Sequence, residues 1–190
     1  MADTILADTI LADTISTDAT LAEPVKLRTK WSGGRLLHIH IAPAASFEME
    51  EVEEANCIAG RGIEGDRYFL GTGTYSPKPD AREVTLFEME VLDALRRNDP
   101  PLQNGPIKLE PGDHRRNLTV HGVPLNHLVG KRFRVGDVVL IGGRLNFPCK
   151  YLDELLGLPL YLPLYNRSGL NCRIEKGGII RRGDPVEPVD

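Results

Sequence analysis

The sequence predicts a mainly β domain with a few helices, closed or nearly closed into a barrel. Three observations carry that expectation. Short runs of alternating apolar and polar residues recur from Gly34 onward, glycine, proline and aspartate separate them, and a strong helical period marks one segment well. A closed barrel protects the edges that so many short strands would otherwise expose. With 190 residues, 41% of them hydrophobic, the chain suffices for one well-buried core and falls short of two full-sized domains.

Residues 1–26 stand apart. They open with Ala-Asp-Thr-Ile-Leu twice and then Ala-Asp-Thr-Ile-Ser, a five-residue period that matches neither a helix nor a known solenoid unit. The expectation is a poorly ordered tail without a catalytic role, with a docking tail as the alternative. The folded domain is expected over residues 27–190. Its first strand places Leu37, Ile39 and Ile41 on an apolar face against His38 and His40, and Pro43 stops it. Thr85 and Glu88 read as a capping box ahead of Phe87, Val91 and Leu95, a helix that Asn98-Asp99-Pro100-Pro101 ends. Arg96 and Arg97 then complement the helix dipole. An apolar strand covers Leu118 to Val120. Lys131 to Val135, the turn Gly136-Asp137 and Val138 to Ile141 form a hairpin, with Phe133 and Val135 opposite in face to Arg132 and Arg134. Arg144 to Phe147 is expected as a third strand and Tyr151 to Leu156 as a short helix. Leu170, Cys172 and Ile174 alternate in a further strand, and Ile179-Ile180 before Gly183-Asp184 supplies the last.

The formal net charge of -4 argues against a broad grip on nucleic acid. No apolar run approaches the length of a bilayer, so no membrane role is expected. A small-molecule or protein partner is. Cys57, Cys149 and Cys172 are odd in number and widely spaced, which fits neither a disulfide scaffold nor a paired-cysteine zinc site. The amino terminus lacks the basic stretch and continuous apolar core of a secretory signal. A reduced, cytoplasmic location follows as the expectation.

Cys149 sits between Pro148 and Lys150, where the chain must turn after a strand, and Lys150 and Arg144 favour the nucleophilic, metal-ligating thiolate. A buried cysteine acting as a small apolar residue is the alternative. Cys172 alternates with core residues, and Cys57 has no pairing partner, so both read as structural. Asp113-His114-Arg115-Arg116-Asn117 places two guanidinium groups and an amide at a strand entrance, which suits either anion recognition or a solvated loop. The glycine-rich Gly60 to Arg67 is not a phosphate-loop pattern. His38 and His40 have metal-like spacing without a completing cluster and read as structural or surface residues. The acidic run from Glu48 to Glu54 reads as a solvated face.

The ordered series of segments resembles the MOSC family, the molybdenum cofactor sulfurase C-terminal domain. It comprises Gly60 to Tyr68, Arg82-Glu83-Val84-Thr85-Leu86, Arg115-Arg116-Asn117-Leu118, Gly122-Val123-Pro124-Leu125, Leu128-Val129-Gly130, Phe133 to Gly136, Pro148-Cys149 and Gly183 to Val186. The resemblance implies a β-barrel similar to that of the pyruvate kinase barrel domain, in a stand-alone bacterial-type member. It makes Cys149 the family's characteristic cysteine, and implies cofactor contacts for Arg82, Thr85, Arg115 and Asn117. The implied cofactor is the molybdenum-pterin group, with Cys149 as its metal ligand. The implied activity is reduction of N-oxygenated, in particular N-hydroxylated, substrates with an electron-donor reductase as partner. Two other readings remain open. In one, Cys149 bears a persulfide and transfers sulfur. In the other, the domain binds or delivers the cofactor without turnover. The sulfurases' pyridoxal-phosphate domain has no room in a chain of this length, so any sulfur would come from a separate pyridoxal-phosphate cysteine desulfurase. The amino-terminal β-rich portion of larger amidoxime-reducing members is replaced by the Ala-Asp-Thr repeat.

Overall fold

The computed structural model describes residues 31, 33–76 and 82–189. The repetitive tail, and the expected start of the domain at Leu27, lie outside the described residues. In chain order the elements begin with β1 (Gly34–Ile41), β2 (Glu50–Val52), β3 (Glu54–Ile58), β4 (Gly62–Ile63) and α1 (Arg67–Leu70). They continue with β5 (Val84–Glu88), α2 (Met89–Arg97), β6 (Leu118–His121), β7 (Arg132–Val135) and β8 (Val138–Leu145). The last are α3 (Lys150–Leu156), β9 (Leu170–Lys176), β10 (Gly178–Arg181) and β11 (Pro185–Pro188).

Seven strands close a barrel in the order β1, β11, β7, β8, β9, β5, β6 and back to β1, with β2 beside the end of β1. β3, β4 and β10 form a separate three-stranded sheet. β5 and β6 run parallel, because α2 and the segment after it carry the chain back between them, as a parallel pair requires. The barrel is filled by Leu36, Ile39, Leu86, Leu118, Val120, Phe133, Val135 and Leu140 with their neighbours. A second cluster, with Phe87, Leu92, Leu95, Leu152, Leu160 and Leu164, packs α2 and α3 onto the outside. No helix among the described residues is long and apolar enough to cross a membrane.

The hairpin of β7 and β8 follows the expected pattern, with Phe133 and Val135 buried and Arg132 and Arg134 exposed. Four sequence expectations need correction. Thr85 does not cap a helix: Val84 to Phe87 is a strand buried on both faces, Leu86 inside the barrel and Phe87 against α2. The helix starts at Met89, with Glu88 at its N-cap and no side-chain cap bond. In β1 a register shift between Leu36 and His38 breaks the alternation, so Leu36, Ile39 and His40 are the buried residues. Arg144 to Phe147 is not a separate strand, because β8 runs through Gly142-Gly143 to Leu145 with a register shift there. Ile179-Ile180 lies in β10, which pairs with β3 in the small sheet, and β11 closes the barrel instead.

Gly169, just before β9, adopts φ +93°, and a Cβ there would lie 2.0 Å from the Leu86 carbonyl oxygen. Both the backbone angle and the clash exclude a side chain. Gly169→Ala is expected to cost about 3 kcal/mol or more, lowering the thermal midpoint by roughly 6–12 °C. A calorimetric midpoint equal to that of the parent chain would contradict this packing.

Candidate functional site: an arginine-lined cavity at Cys149

The connections at the barrel's rim enclose a cavity of about 270 Å3. Its wall takes Arg67 and Tyr68 from α1, Tyr75 from the turn beyond it, Arg82 from the approach to β5, and Arg115 and Arg116 from the approach to β6. Arg144 at the end of β8, then Asn146, Phe147, Pro148 and Cys149, complete it with Tyr151 and Leu152 of α3. Five arginines therefore face one small volume, with no aspartate or glutamate among the described lining residues. Asp66, fully buried behind the wall, balances one of these charges through a 2.9 Å bond to Arg67.

Cys149 is the N-cap of α3, half-buried and not disulfide-bonded. Its sulfur takes a hydrogen bond from the Tyr75 hydroxyl; burial, followed by the electrostatic influence of Cys149, raises the Tyr75 pKa above the ordinary tyrosine value. The Arg82 guanidinium lies over the Tyr75 ring at 4.5 Å, a cation–π contact that fixes both groups. Lys150, the other neighbour expected to influence Cys149, is exposed and outside the lining.

The two arginines before β6 are held by different means. Arg116 is clamped through Nε and Nη2 to the carbonyl and hydroxyl oxygens of Ser168, and through Nη1 to the His114 carbonyl. Burial pushes its pKa down to about 10. Arg115 holds a left-handed φ of 61°, a strained conformation for a residue with a side chain and one that concentrates at functional sites. Its Nη1 donates to the Phe47 carbonyl, whereas Nη2 is buried without a hydrogen-bond partner. Burial, then the charge of Arg67, lowers the Arg115 pKa.

Of the residues singled out in the sequence, Arg82, Arg115, Arg116, Arg144 and Cys149 come together on this wall. Thr85 and Asn117 do not reach it. Both are fully buried and bond to each other: Asn117 Oδ1 accepts from the Thr85 amide and hydroxyl, and Asn117 Nδ2 donates to the His40 carbonyl. They knit β5, β6 and β1 together behind the site. Arg67 and Tyr75 escaped the sequence reading. Arg67 lay in the glycine-rich motif without an assigned role, and Tyr75 carries no local pattern.

The other two cysteines are core residues, with burial pushing the Cys57 thiol up to about 12 and the Cys172 thiol higher still. Arg96 does more than complement a dipole, since its guanidinium bonds the Leu109 carbonyl and Glu110. His38 bonds Glu51, while His40 is buried. No group of three or more metal-ligating His, Cys, Asp or Glu exists among the described residues.

His114 supports the arginine pair from below. Its ring stacks on Phe87 at 4.3 Å, its Nδ1 accepts the Arg116 amide, and its Nε2 meets the Thr119 hydroxyl at 3.0 Å. With Nδ1 an acceptor, the ring is neutral. Burial holds its pKa well below the usual histidine value, and burial lowers that of His40 as well. The unfolded chain binds these protons below about pH 6.5 and the folded chain does not, so stability is fully present above that pH and falls as the solution is acidified. The expected loss is up to about 1.4 kcal/mol per pH unit for each histidine. Urea denaturation at pH 7.5 and pH 5.5 checks this; coincident midpoints would refute it.

A model of the MOSC domain family matches residues 65–187. No curated protein matches. Among solved structures, the YuaD protein from Bacillus subtilis superposes with a TM-score of 0.66 at 20% identity, covering 83% of this chain and 97% of that one. YiiM from Geobacillus stearothermophilus gives 0.61 at 15% identity, covering 83% of this chain and 75% of its own. YiiM from Escherichia coli gives 0.59 at 19% identity, with coverages of 82% and 70%. These likenesses establish a shared fold, and the family match spans the strands, helices and arginines that build the cavity around Cys149. The chain belongs to the MOSC domain family.

Proposed function

We propose that this MOSC domain binds a molybdenum-pterin cofactor in the arginine-lined cavity, with the Cys149 sulfur as the protein ligand to the metal. In the same reading it reduces N-hydroxylated small molecules with electrons from a separate reductase. One observation carries it: a single thiol shares a small cavity with five guanidinium groups. Planar guanidinium forks suit a phosphate, and a thiolate suits a soft metal centre, so one anionic ligand bearing both groups matches both halves of the set. The residues fit that ligand. Arg115 lines the cavity with a buried Nη2 that has no hydrogen-bond partner, and such a donor is costly unless an acceptor meets it.

When bound, the cofactor supplies the redox and oxygen-atom chemistry. The chain's part is to bind, orient and shield. Arg115 and Arg116 hold the phosphate, and the Ser168 clamp fixes the direction from which Arg116 donates. The Tyr75 hydroxyl, steadied by Arg82, holds the Cys149 sulfur toward the cavity. Thr85 and Asn117 act as positioning residues that set the height of the Arg115-Arg116 turn.

Protein purified anaerobically from cells that make the cofactor is expected to contain roughly stoichiometric molybdenum by elemental analysis, and to reduce a hydroxylamine when a reductase is added. Metal-free protein with a reducible sulfur adduct in its intact mass would overturn ligation. It would favour a sulfur carrier charged by a pyridoxal-phosphate desulfurase. Bound cofactor without turnover under any electron donor would reduce the protein to a binding or delivery domain.

A further inference from the structure

The arginine-lined cavity also holds a group of the opposite polarity. Asn146 stands shortly before Cys149 in the same wall, and it is the one side-chain amide among the described lining residues. Its backbone N–H donates to the Gly169 carbonyl at 2.7 Å. Its side chain is fixed from behind, because Asn146 Nδ2 donates to Asn171 Oδ1 at 2.7 Å. Asn171 lies on β9, across from Arg144 of β8 on one side and Thr85 of β5 on the other, and it is fully buried.

The pairing has a direction. An amide side chain can be turned end for end, and its surroundings decide which end faces which way. A wall bearing five guanidinium groups attracts a carbonyl oxygen and repels an N–H dipole, so Asn146 turns Oδ1 to the cavity and Nδ2 to Asn171. The cost falls on Asn171: with Oδ1 committed to Asn146, its Nδ2 is buried without a hydrogen-bond partner. A buried orphan donor is rare and calls for a reason, and the fixed polarity of Asn146 supplies one. Guanidinium groups can only donate, whereas the Asn146 carbonyl can only accept. We propose that Asn146 determines which N-hydroxylated molecules the site takes: its Oδ1 accepts the N–H of a hydroxylamine, R–NH–OH, and Asn171 is the positioning residue that holds it in that orientation. This selectivity rests on the proposed reduction of N-hydroxylated molecules and narrows it. A site that pairs a fixed acceptor with a substrate N–H disfavours the analogue lacking that hydrogen, so hydroxylamines disubstituted on nitrogen are the disfavoured class.

Phenylhydroxylamine and N-methyl-N-phenylhydroxylamine share the ring and the O–H and differ in the N–H. Anaerobic calorimetric titration of both into protein purified from cofactor-making cells, with no electron donor present, tests the assignment without turnover. The parent chain is expected to bind phenylhydroxylamine about tenfold more tightly. Asn146→Leu should bring the two affinities within about twofold of each other, chiefly by weakening phenylhydroxylamine. Asn171→Leu removes the orphaned donor and leaves an apolar side chain of similar size, so it should fold and lose the preference likewise. Asn171→Asp keeps an oxygen facing Asn146 Nδ2 and should retain the preference. Equal affinities in the parent, no binding of either compound, or a preference that survives Asn146→Leu would overturn the proposal. If Asn146→Leu does not fold, the Asn171 pair decides: a preference unchanged in Asn171→Leu, or lost equally in Asn171→Asp, would overturn it. Molybdenum content is read on the same samples. A metal-free chain that still discriminates the two compounds refutes the cofactor reading alone, and a metal-loaded chain that does not discriminate refutes this one alone.

Discussion

Cys149→Ser is expected to keep the fold and lose the metal. Cys149 is half-buried at the N-cap of α3, a position at which serine is among the preferred residues. The helix therefore tolerates the exchange, and the thermal midpoint of the metal-free protein should shift by no more than about 1–2 °C. The hydroxyl, in contrast, is a hard donor that stays protonated near neutral pH, and a soft metal centre gains little from it. Molybdenum retention and turnover should fall on the order of 100-fold. Elemental analysis and calorimetry on the same preparation separate the two effects. Serine protein that keeps its molybdenum would remove Cys149 as the ligand, whatever else it does.

Asn117→Ala should do the reverse, damaging the fold first. The Asn117 side chain is fully buried and satisfies three groups at once, the Thr85 amide, the Thr85 hydroxyl and the His40 carbonyl. Leaving them unpaired costs about 1–3 kcal/mol each in isolation, and together about 3–5 kcal/mol after local relaxation. That should appear as a lower urea midpoint in protein free of any ligand. Arg115→Ala is the matched control: its guanidinium makes one hydrogen bond, to the Phe47 carbonyl, so stability should change by less than about 1 kcal/mol while cofactor retention drops. If Asn117→Ala proved as stable as its parent yet bound no cofactor, Asn117 would be a direct contact and its place here as a strut would be wrong.

The sequence was most informative where one physical rule acts alone. The hairpin from Arg132 to Ile141 was legible because alternation and the Gly136-Asp137 turn agree, and the short helix after Cys149 because its period continues to Leu156. Thr85 misled because Thr-x-x-Glu is also what a buried strand leading into a helix contains. Only the tertiary environment, with the hydroxyl paired to Asn117, decides between them. The first strand misled through its bulge, which no residue pattern around Leu36 announces. For the site, Cys149 and Arg115 were readable as a motif. The pairing of Tyr75 with Cys149 and of Arg116 with Ser168 was not, since each joins residues far apart in the chain.

The five arginines of the cavity enter the wall at positions 67, 82, 115, 116 and 144, and Cys149 follows them. No local segment contains the site; only the closed barrel does. Whatever binds there is bound by the folded chain and ignored by the unfolded one, so occupancy adds to stability in proportion to supply, by about 2.7 kcal/mol at a hundred times the dissociation constant. A cell that runs short of the ligand then holds a looser protein, and proteases that act on opened chains remove it sooner. By that route the protein's abundance is expected to rise and fall with the supply of its ligand.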